Sequence, residues 1–226
     1  MRALLRHDEW IVPLHQQAGG EWHATLIQDL EGHHLQLVFT DEQGYQDGLQ
    51  AVGQEVMGGQ TVTLSGVALF GGLADEADLL SINWNSPPQL FFKKAQFQAL
   101  RRWAATIGVE RTLATPKPDL ALLKHFDNYS IVLQKVEGGY ALMLAPDAHG
   151  RRLAAVFTAE DTLDAFLKSQ PTDQPGVEPI TRSIAGELLF DDLKDLPLDG
   201  ICFNPTGPVP KRMFTAALSS EIMKAT

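Results

Sequence analysis

The sequence predicts an α+β protein built from two tandem similar domains, each a mainly antiparallel sheet packed with helices. Three observations predict it. First, one stretch occurs twice: Leu35-Gln36-Leu37-Val38-Phe39-Thr40-Asp41-Glu42 and Leu153-Ala154-Ala155-Val156-Phe157-Thr158-Ala159-Glu160. Each reads as an apolar strand turning directly into a helix. Second, other blocks repeat at nearly the same spacing. Val38 and Val156 stand 118 residues apart. Trp10 to Leu14 matches Tyr129 to Leu133, Ser65 to Phe70 matches Ala185 to Phe190, and Ser81 to Pro87 matches Gly200 to Pro205, at offsets of about 120 residues, the size of one small domain. Third, each copy begins with short strand-like runs broken by turns and ends with helical periodicity.

The expected units are residues 1–108 and 128–226, with a structured connector at 109–127. In the first unit, residues 10–15 form a strand. Gln17 to Gly20 turn the chain, and Trp22 to Gln28 return as a second strand. After the turn Glu31-Gly32-His33-His34 comes the third strand, Leu35 to Phe39, which completes an antiparallel meander. Thr40 offers its hydroxyl to the unpaired N–H groups of a helix reaching about Ala51. Thr40 and Gln43 fit a capping box, and Asp41 and Glu42 place negative charge at the helix start. Val62 to Leu64 pair briefly, and Ser65-Gly66 opens a short helix through Leu73. Leu79 to Asn83 form a strand, stopped by Asn85-Ser86-Pro87-Pro88. Ala95 to Ile107 form an amphipathic helix with Phe97, Leu100, Trp103 and Ala104 on its apolar face. In the connector, Pro116 and Pro118 stiffen the chain and Asp119 to Phe126 form a helix. The second unit repeats the order: strands at 129–135, 139–145 and 152–157, a helix at 158–168 capped by Thr158, and a proline-containing loop at 169–177. A helix at 184–193, a strand at 200–203 and a last helix at 211–223 follow.

The chain has 226 residues, is 44% hydrophobic and carries a formal net charge of −10. An acidic surface argues against nucleic acid or an anionic membrane as the main partner. Cys202 is the single cysteine, so no internal disulfide is expected and a reducing compartment is favoured. Arg2 and Arg6 are followed by His7-Asp8-Glu9 before any apolar run forms. Neither a signal peptide nor a membrane span is expected, and the expected location is the cytoplasm.

The order of strand meander, VFT-x-E corner, (S/A)-G-x-x-L-F helix and D-G-I-x-F-N-P strand and turn resembles the SseB N-terminal domain family. The blocks that carry the resemblance are Leu153 to Glu160, Ala185 to Phe190 and Asp199 to Pro205, and both units match. The first unit departs at Asn83-Trp84-Asn85-Ser86-Pro87, where the second has Cys202-Phe203-Asn204-Pro205. The resemblance implies a bacterial protein, in some cases one associated with secretion systems. It brings no catalytic residues.

The search for chemistry is largely negative. The seven histidines show no helical metal-ligand spacing, and the chain has no GxSxG elbow, GxxxxGK[ST] loop or GxGxxG turn. The acidic clusters Asp191, Asp192, Asp195, Asp199 and Asp75, Glu76, Asp78 follow no calcium-loop pattern and read as solvated loops. No catalytic residue, metal ligand or cofactor is expected. The aromatics give a better lead. Trp84 and Phe203 are assigned the same repeat position beside a proline turn, with Asn85 and Asn204 next to them and Phe91 and Phe92 shortly after Trp84. Either these aromatics are core residues of alternating strands, or they mark a partner-binding edge. The preferred expectation is a non-catalytic module that binds another protein, as an adaptor, chaperone or immunity factor would. Its partner-binding candidates are Trp84, Asn85, Phe91, Phe92, Phe203 and Asn204. The alternative is a small-molecule binder or enzyme with a site between the units, near Asp199, Asn204, Asn85 and Trp84. A homo-oligomer is compatible with either.

Overall fold

The computed structural model describes residues 2–17, 19–170, 179–207, 209 and 211–225. It has helices and mixed sheets, an α+β protein. The chain divides into two compact units, Met1–Ile107 and Gly108–Thr226.

The first unit opens with α1 (Arg2–Arg6), β1 (Trp10–Gln16), β2 (Trp22–Ala24), β3 (Leu26–Gln28) and β4 (His34–Val38). Then come α2 (Glu42–Val52), α3 (Gln54–Met57), β5 (Gln60–Leu64), α4 (Gly66–Gly71), β6 (Leu79–Ile82) and β7 (Leu90–Lys93). The helix α5 (Lys94–Ala114) contains the division between the units. The second unit has α6 (Leu120–Lys124), β8 (Tyr129–Val136), β9 (Gly139–Leu142), β10 (Leu144–Ala145), β11 (Leu153–Phe157) and α7 (Glu160–Ser169). It finishes with β12 (Pro179–Ile184), α8 (Gly186–Lys194), β13 (Gly200–Phe203), β14 (Arg212–Thr215) and α9 (Ala216–Lys224).

The pairings of the two units run in parallel. In the first, β1 pairs with β2 and β5, β4 pairs with β3 and β6, and the bridge between Ile11 and Phe39 joins β1 to β4. In the second, β8 pairs with β9 and β12, β11 with β10, β8 and β13, and β14 closes the order. The antiparallel meander is interrupted in both. The strands β4 and β6 are parallel, as are β11 and β13, so each unit contains one helical crossover.

Several expected elements are corrected. The strand expected over Trp22 to Gln28 is two strands in two sheets. It breaks at Thr25, whose N–H donates to the Pro13 carbonyl at 2.8 Å and whose hydroxyl donates to the Met57 carbonyl at 3.2 Å. Met143 divides β9 from β10 in the same way, with its N–H on the Val132 carbonyl. The last helix starts at Ala216, because Arg212–Thr215 is strand β14; the counterpart β7 and the strand β12 were not anticipated either. The helix α5 runs past Gly108, whose cost of about 1 kcal/mol in a helix is offset by burial of Ile107, Val109 and Leu113. Trp103, expected on its apolar face, is 47% exposed, while Phe97, Leu100 and Ala104 are buried. The connector contains the end of α5 and all of α6, so little of it is irregular. Most of the proline-containing loop expected at 169–177 lies outside the described residues.

The first unit's four-stranded sheet, β3-β4-β6-β7, has apolar side chains on both faces. One face carries Leu35, Leu37, Phe39 and Ile27, packed with Met57 and with Tyr45, Leu49 and Trp84. The other joins Trp10, Val12, Val38, Leu80 and Ile82 to Phe70, Phe97 and Leu100. The alternation of side chains along a strand places these sets on opposite faces. No helix of the described residues is long and apolar enough to cross a membrane.

Candidate functional site

At the carboxyl ends of each parallel strand pair, a threonine and an asparagine are joined by several hydrogen bonds. In the second unit the Thr158 N–H donates to Asn204 Oδ1 at 3.0 Å, and Asn204 Nδ2 donates to Thr158 Oγ1 at 3.0 Å. The Thr162 hydroxyl, one turn on, lies 3.1 Å from the same Oδ1, and the Asn204 N–H donates to the Val156 carbonyl at 2.8 Å. Asn204 adopts φ 47, a left-handed conformation that asparagine tolerates better than most residues, and it is 1% exposed. The buried amide thus closes β11 onto β13 and fixes where α7 begins.

The first unit makes the same clasp with Asn83, not with Asn85. The Thr40 N–H donates to Asn83 Oδ1 at 2.9 Å, Asn83 Nδ2 donates to Thr40 Oγ1 at 3.0 Å, and the Asn83 N–H donates to the Val38 carbonyl at 2.9 Å. Asn83 has φ 54. Three expectations are overturned here. The equivalence of Asn85 with Asn204 fails, because Val38 lies beside Ile82 and Val156 beside Phe203 in the parallel registers, which makes Asn83 the counterpart. By the same registers Trp84 does not correspond to Phe203. The threonines are also not helix caps. Asp41 caps α2 by accepting the Gly44 N–H at 2.8 Å, while α7 has Ala159 at that position and no side-chain cap.

The two corners differ in chemistry. Position for position, the first has His7, Asp41 and Gly44 where the second has Phe126, Ala159 and Thr162; the pairs are placed by the Gly66 N–H on the His7 carbonyl and the Gly186 N–H on the Phe126 carbonyl. His7 Nε2 lies 3.1 Å from the Thr40 carbonyl oxygen, so a protonated Nε2 donates to it. The Gly44 N–H, then the Thr40 hydroxyl and the nearby His7, hold the Asp41 carboxyl below its ordinary value. All these groups are engaged with one another, and the corner is a structural lock.

The partner-binding candidates separate into two groups. Phe203 is fully buried among Tyr129, Phe190 and Phe214, with ring centroids 5.5 to 6.4 Å away, and Asn204 is buried in its clasp. Both are removed as surface candidates. Phe92 is half-buried and packs against the core with Val38 and Ile82. Trp84, Asn85 and Phe91 remain. Phe91 is 50% exposed, and its ring meets Trp84 edge-on at 6.1 Å; Asn85 is exposed in the same turn with φ 62. Leu90, which sequence reasoning passed over, is also exposed.

The strand β7 gives this patch its setting. It is the last strand of the order β3-β4-β6-β7, so its outer side has no strand beside it among the described residues. The corresponding strand β14 carries Arg212 and Met213 opposite Phe203 and Cys202, where β7 carries Leu90 and Phe91 opposite Ile82 and Ser81. At this position the first unit therefore presents leucine and phenylalanine where the second presents arginine and methionine.

Two residues of the acidic clusters serve the backbone, while Asp75 and Asp191 pair with Arg101 and Lys194. Asp78 accepts the His34 N–H at 3.0 Å and Asp199 accepts the Arg152 N–H at 2.7 Å, each tying the start of one parallel strand to the other. Among the described residues no three His, Cys, Asp or Glu side chains group as metal ligands would. Cys202 is buried, and burial raises its thiol above the ordinary value. Neither a family model nor a curated protein matches this chain.

Proposed function

We propose that the protein is a non-catalytic protein-binding module, an adaptor or chaperone-like factor, that engages its partner through the β7 edge of the first unit. The observation that carries this reading is the exposed Phe91, met edge-on by the half-buried Trp84, on a sheet edge with no strand beside it among the described residues. Aromatic side chains give large contact area at low entropic cost, and exposed clusters of them beside an open edge favour association. The contrast with β14 supports it. Within one architecture, the second unit keeps a polar and thioether pair at the position where the first exposes leucine and phenylalanine. We further propose that the two units arose by tandem duplication and are SseB-like. The matching pairings and the two Thr–Asn clasps support duplication, and the VFT-x-E and F-N-P motifs support the family reading.

Site-directed photo-crosslinking tests the function. The photoreactive p-benzoylphenylalanine is placed at position 91, and in a control protein at the exposed Tyr140 of β9. Expected is a discrete protein adduct in host cells from position 91 alone, abolished by Trp84→Ala in a variant shown to be folded by circular dichroism. Adducts equal at positions 91 and 140, or none at 91, would overturn it.

A further inference from the structure

We infer that the β7 edge takes an extended acidic segment of its partner as an added strand, with an apolar residue facing Phe91 and a carboxylate two residues away facing Lys93. This deepens, and rests on, the protein-binding reading above. Three observations carry it.

The first is hydrogen-bonding capacity. The Lys93 N–H donates to the Gln96 side-chain oxygen at 2.8 Å, so it points away from β6. In an antiparallel pair the outward direction recurs at every second residue. Phe91, two residues earlier, therefore turns its N–H and carbonyl to the open side of the sheet. An incoming strand has a donor and an acceptor waiting, and this mode of recognition draws its affinity from main-chain bonds.

The second is side-chain geometry. Phe91 lies opposite Ser81 and Lys93 opposite Leu79, so the two side chains share one face of the sheet. Trp84 borders Phe91 on that face. A strand beside β7 would set alternate residues against Phe91 and Lys93, which specifies an apolar residue and an acidic one two positions apart.

The third is charge. The chain is acidic overall, yet residues 79–109 contain no Asp or Glu and four basic residues: Lys93, Lys94, Arg101 and Arg102. Arg101 is held by Asp75 at 2.6 Å and Lys94 lies beside Asp78, which leaves Lys93 as the exposed cation on the strand itself and Arg102 exposed on α5. A basic edge favours an acidic segment, while the net charge of −10 on each copy opposes association of the chain with itself. Gln96 acts as a side-chain guard on one of the edge's donors, a common way of blunting an open strand.

The probe is the acetylated, amidated hexapeptide Thr-Ile-Val-Glu-Val-Thr, titrated into the full chain and followed by amide NMR shifts and by calorimetry. Expected are shifts centred on Phe91 and Lys93. Replacing the glutamate by lysine should weaken binding by about tenfold, equivalent to about 1.4 kcal/mol. N-methylating the peptide backbone on its sheet-facing edge should abolish it. Gln96→Ala, at an exposed position, frees the Lys93 N–H and should tighten binding several-fold. Shifts mapping elsewhere, equal binding of the lysine or N-methyl peptides, or concentration-dependent shifts at Phe91 without peptide, which would mean a second copy on the edge, would each overturn it. Adducts at position 91 with no peptide binding would remove strand addition and leave the protein-binding reading standing; absence of adducts would remove that reading itself.

Discussion

At the scale of single residues, two asparagines carry unusual weight. Asn204 satisfies the buried Thr158 N–H and occupies a left-handed backbone conformation. Replacing it with alanine leaves that N–H unpaired, at about 1–3 kcal/mol, and strains the backbone by a further 1–2 kcal/mol or so. Asn204→Ala should thus lower unfolding free energy by about 2–4 kcal/mol in a denaturant titration, and Asn204→Gly should recover about 1 kcal/mol of it. Asn83→Ala should cost less, because Thr40 is half-exposed and water can replace the lost partner. Asp41 provides a pH-dependent contribution. Its folded-state value is depressed, so its stabilisation is complete above the unfolded value near pH 3.9 and is lost as pH falls through the lower folded value. Asp41→Ala should cost roughly 1 kcal/mol at pH 7, with the difference from wild type shrinking below about pH 4. Ala159→Asp, at the uncapped and similarly extended position of α7, should add roughly 0.5–1 kcal/mol.

At the scale of elements, close approaches of backbone set where helices lie. A Cβ at Gly66 would sit 2.4 Å from the Leu5 carbonyl oxygen, and one at Gly186 would sit 2.4 Å from that of Lys124. Each glycine opens its helix, α4 or α8, directly against the backbone of the preceding short helix, α1 or α6. Gly186→Ala should therefore destabilise by about 2 kcal/mol or more despite alanine's higher helix propensity, while Gly139→Ala, with open space around it, should stay within about 0.5 kcal/mol. Thermal unfolding of the two variants checks this. The edge strands make a second prediction. Copying the β14 residues onto β7 as Leu90→Arg with Phe91→Met changes exposed positions only. It should leave the unfolding midpoint within a few degrees and weaken binding of the acidic hexapeptide several-fold through loss of the Phe91 contact, without abolishing it.

The elements differ in how far they could be read from the sequence. The corners at Thr40 and Thr158 were legible because apolar runs and acidic helix starts are adjacent in the chain. The caps were misassigned because a threonine hydroxyl can serve a helix N-terminus or a distant amide equally well. Its choice follows from an asparagine 43 or 46 residues away. Trp84 and Phe91 were legible as candidates because aromatics beside a proline turn stand out. Phe203 looked the same in sequence and lies in the core, since the parallel register aligns it with Ile82 and not with Trp84.

At the scale of the molecule, charge is the dominant property. The net charge is −10 and the isoelectric point is about 5.1. Solubility, followed by light scattering against pH, should pass through a minimum near pH 5.1 and recover on either side, because like-charge repulsion vanishes there. The same acidity makes the basic run from Lys93 to Arg102 conspicuous, and binding of an acidic partner at β7 should weaken as ionic strength rises.

Local chemistry along the chain was enough to specify an α+β architecture, the repeated strand-to-helix corners and most helices, because propensity, periodicity and turn residues act between near neighbours. Three things depend on contacts distant in sequence. These are the identity of the clasp asparagine in the first unit, the existence of the edge strands β7, β12 and β14, and the sorting of aromatics into core and surface. A strand of four residues has too short a pattern to declare its buried face, and a left-handed asparagine is selected only once a neighbouring strand supplies the N–H it must receive.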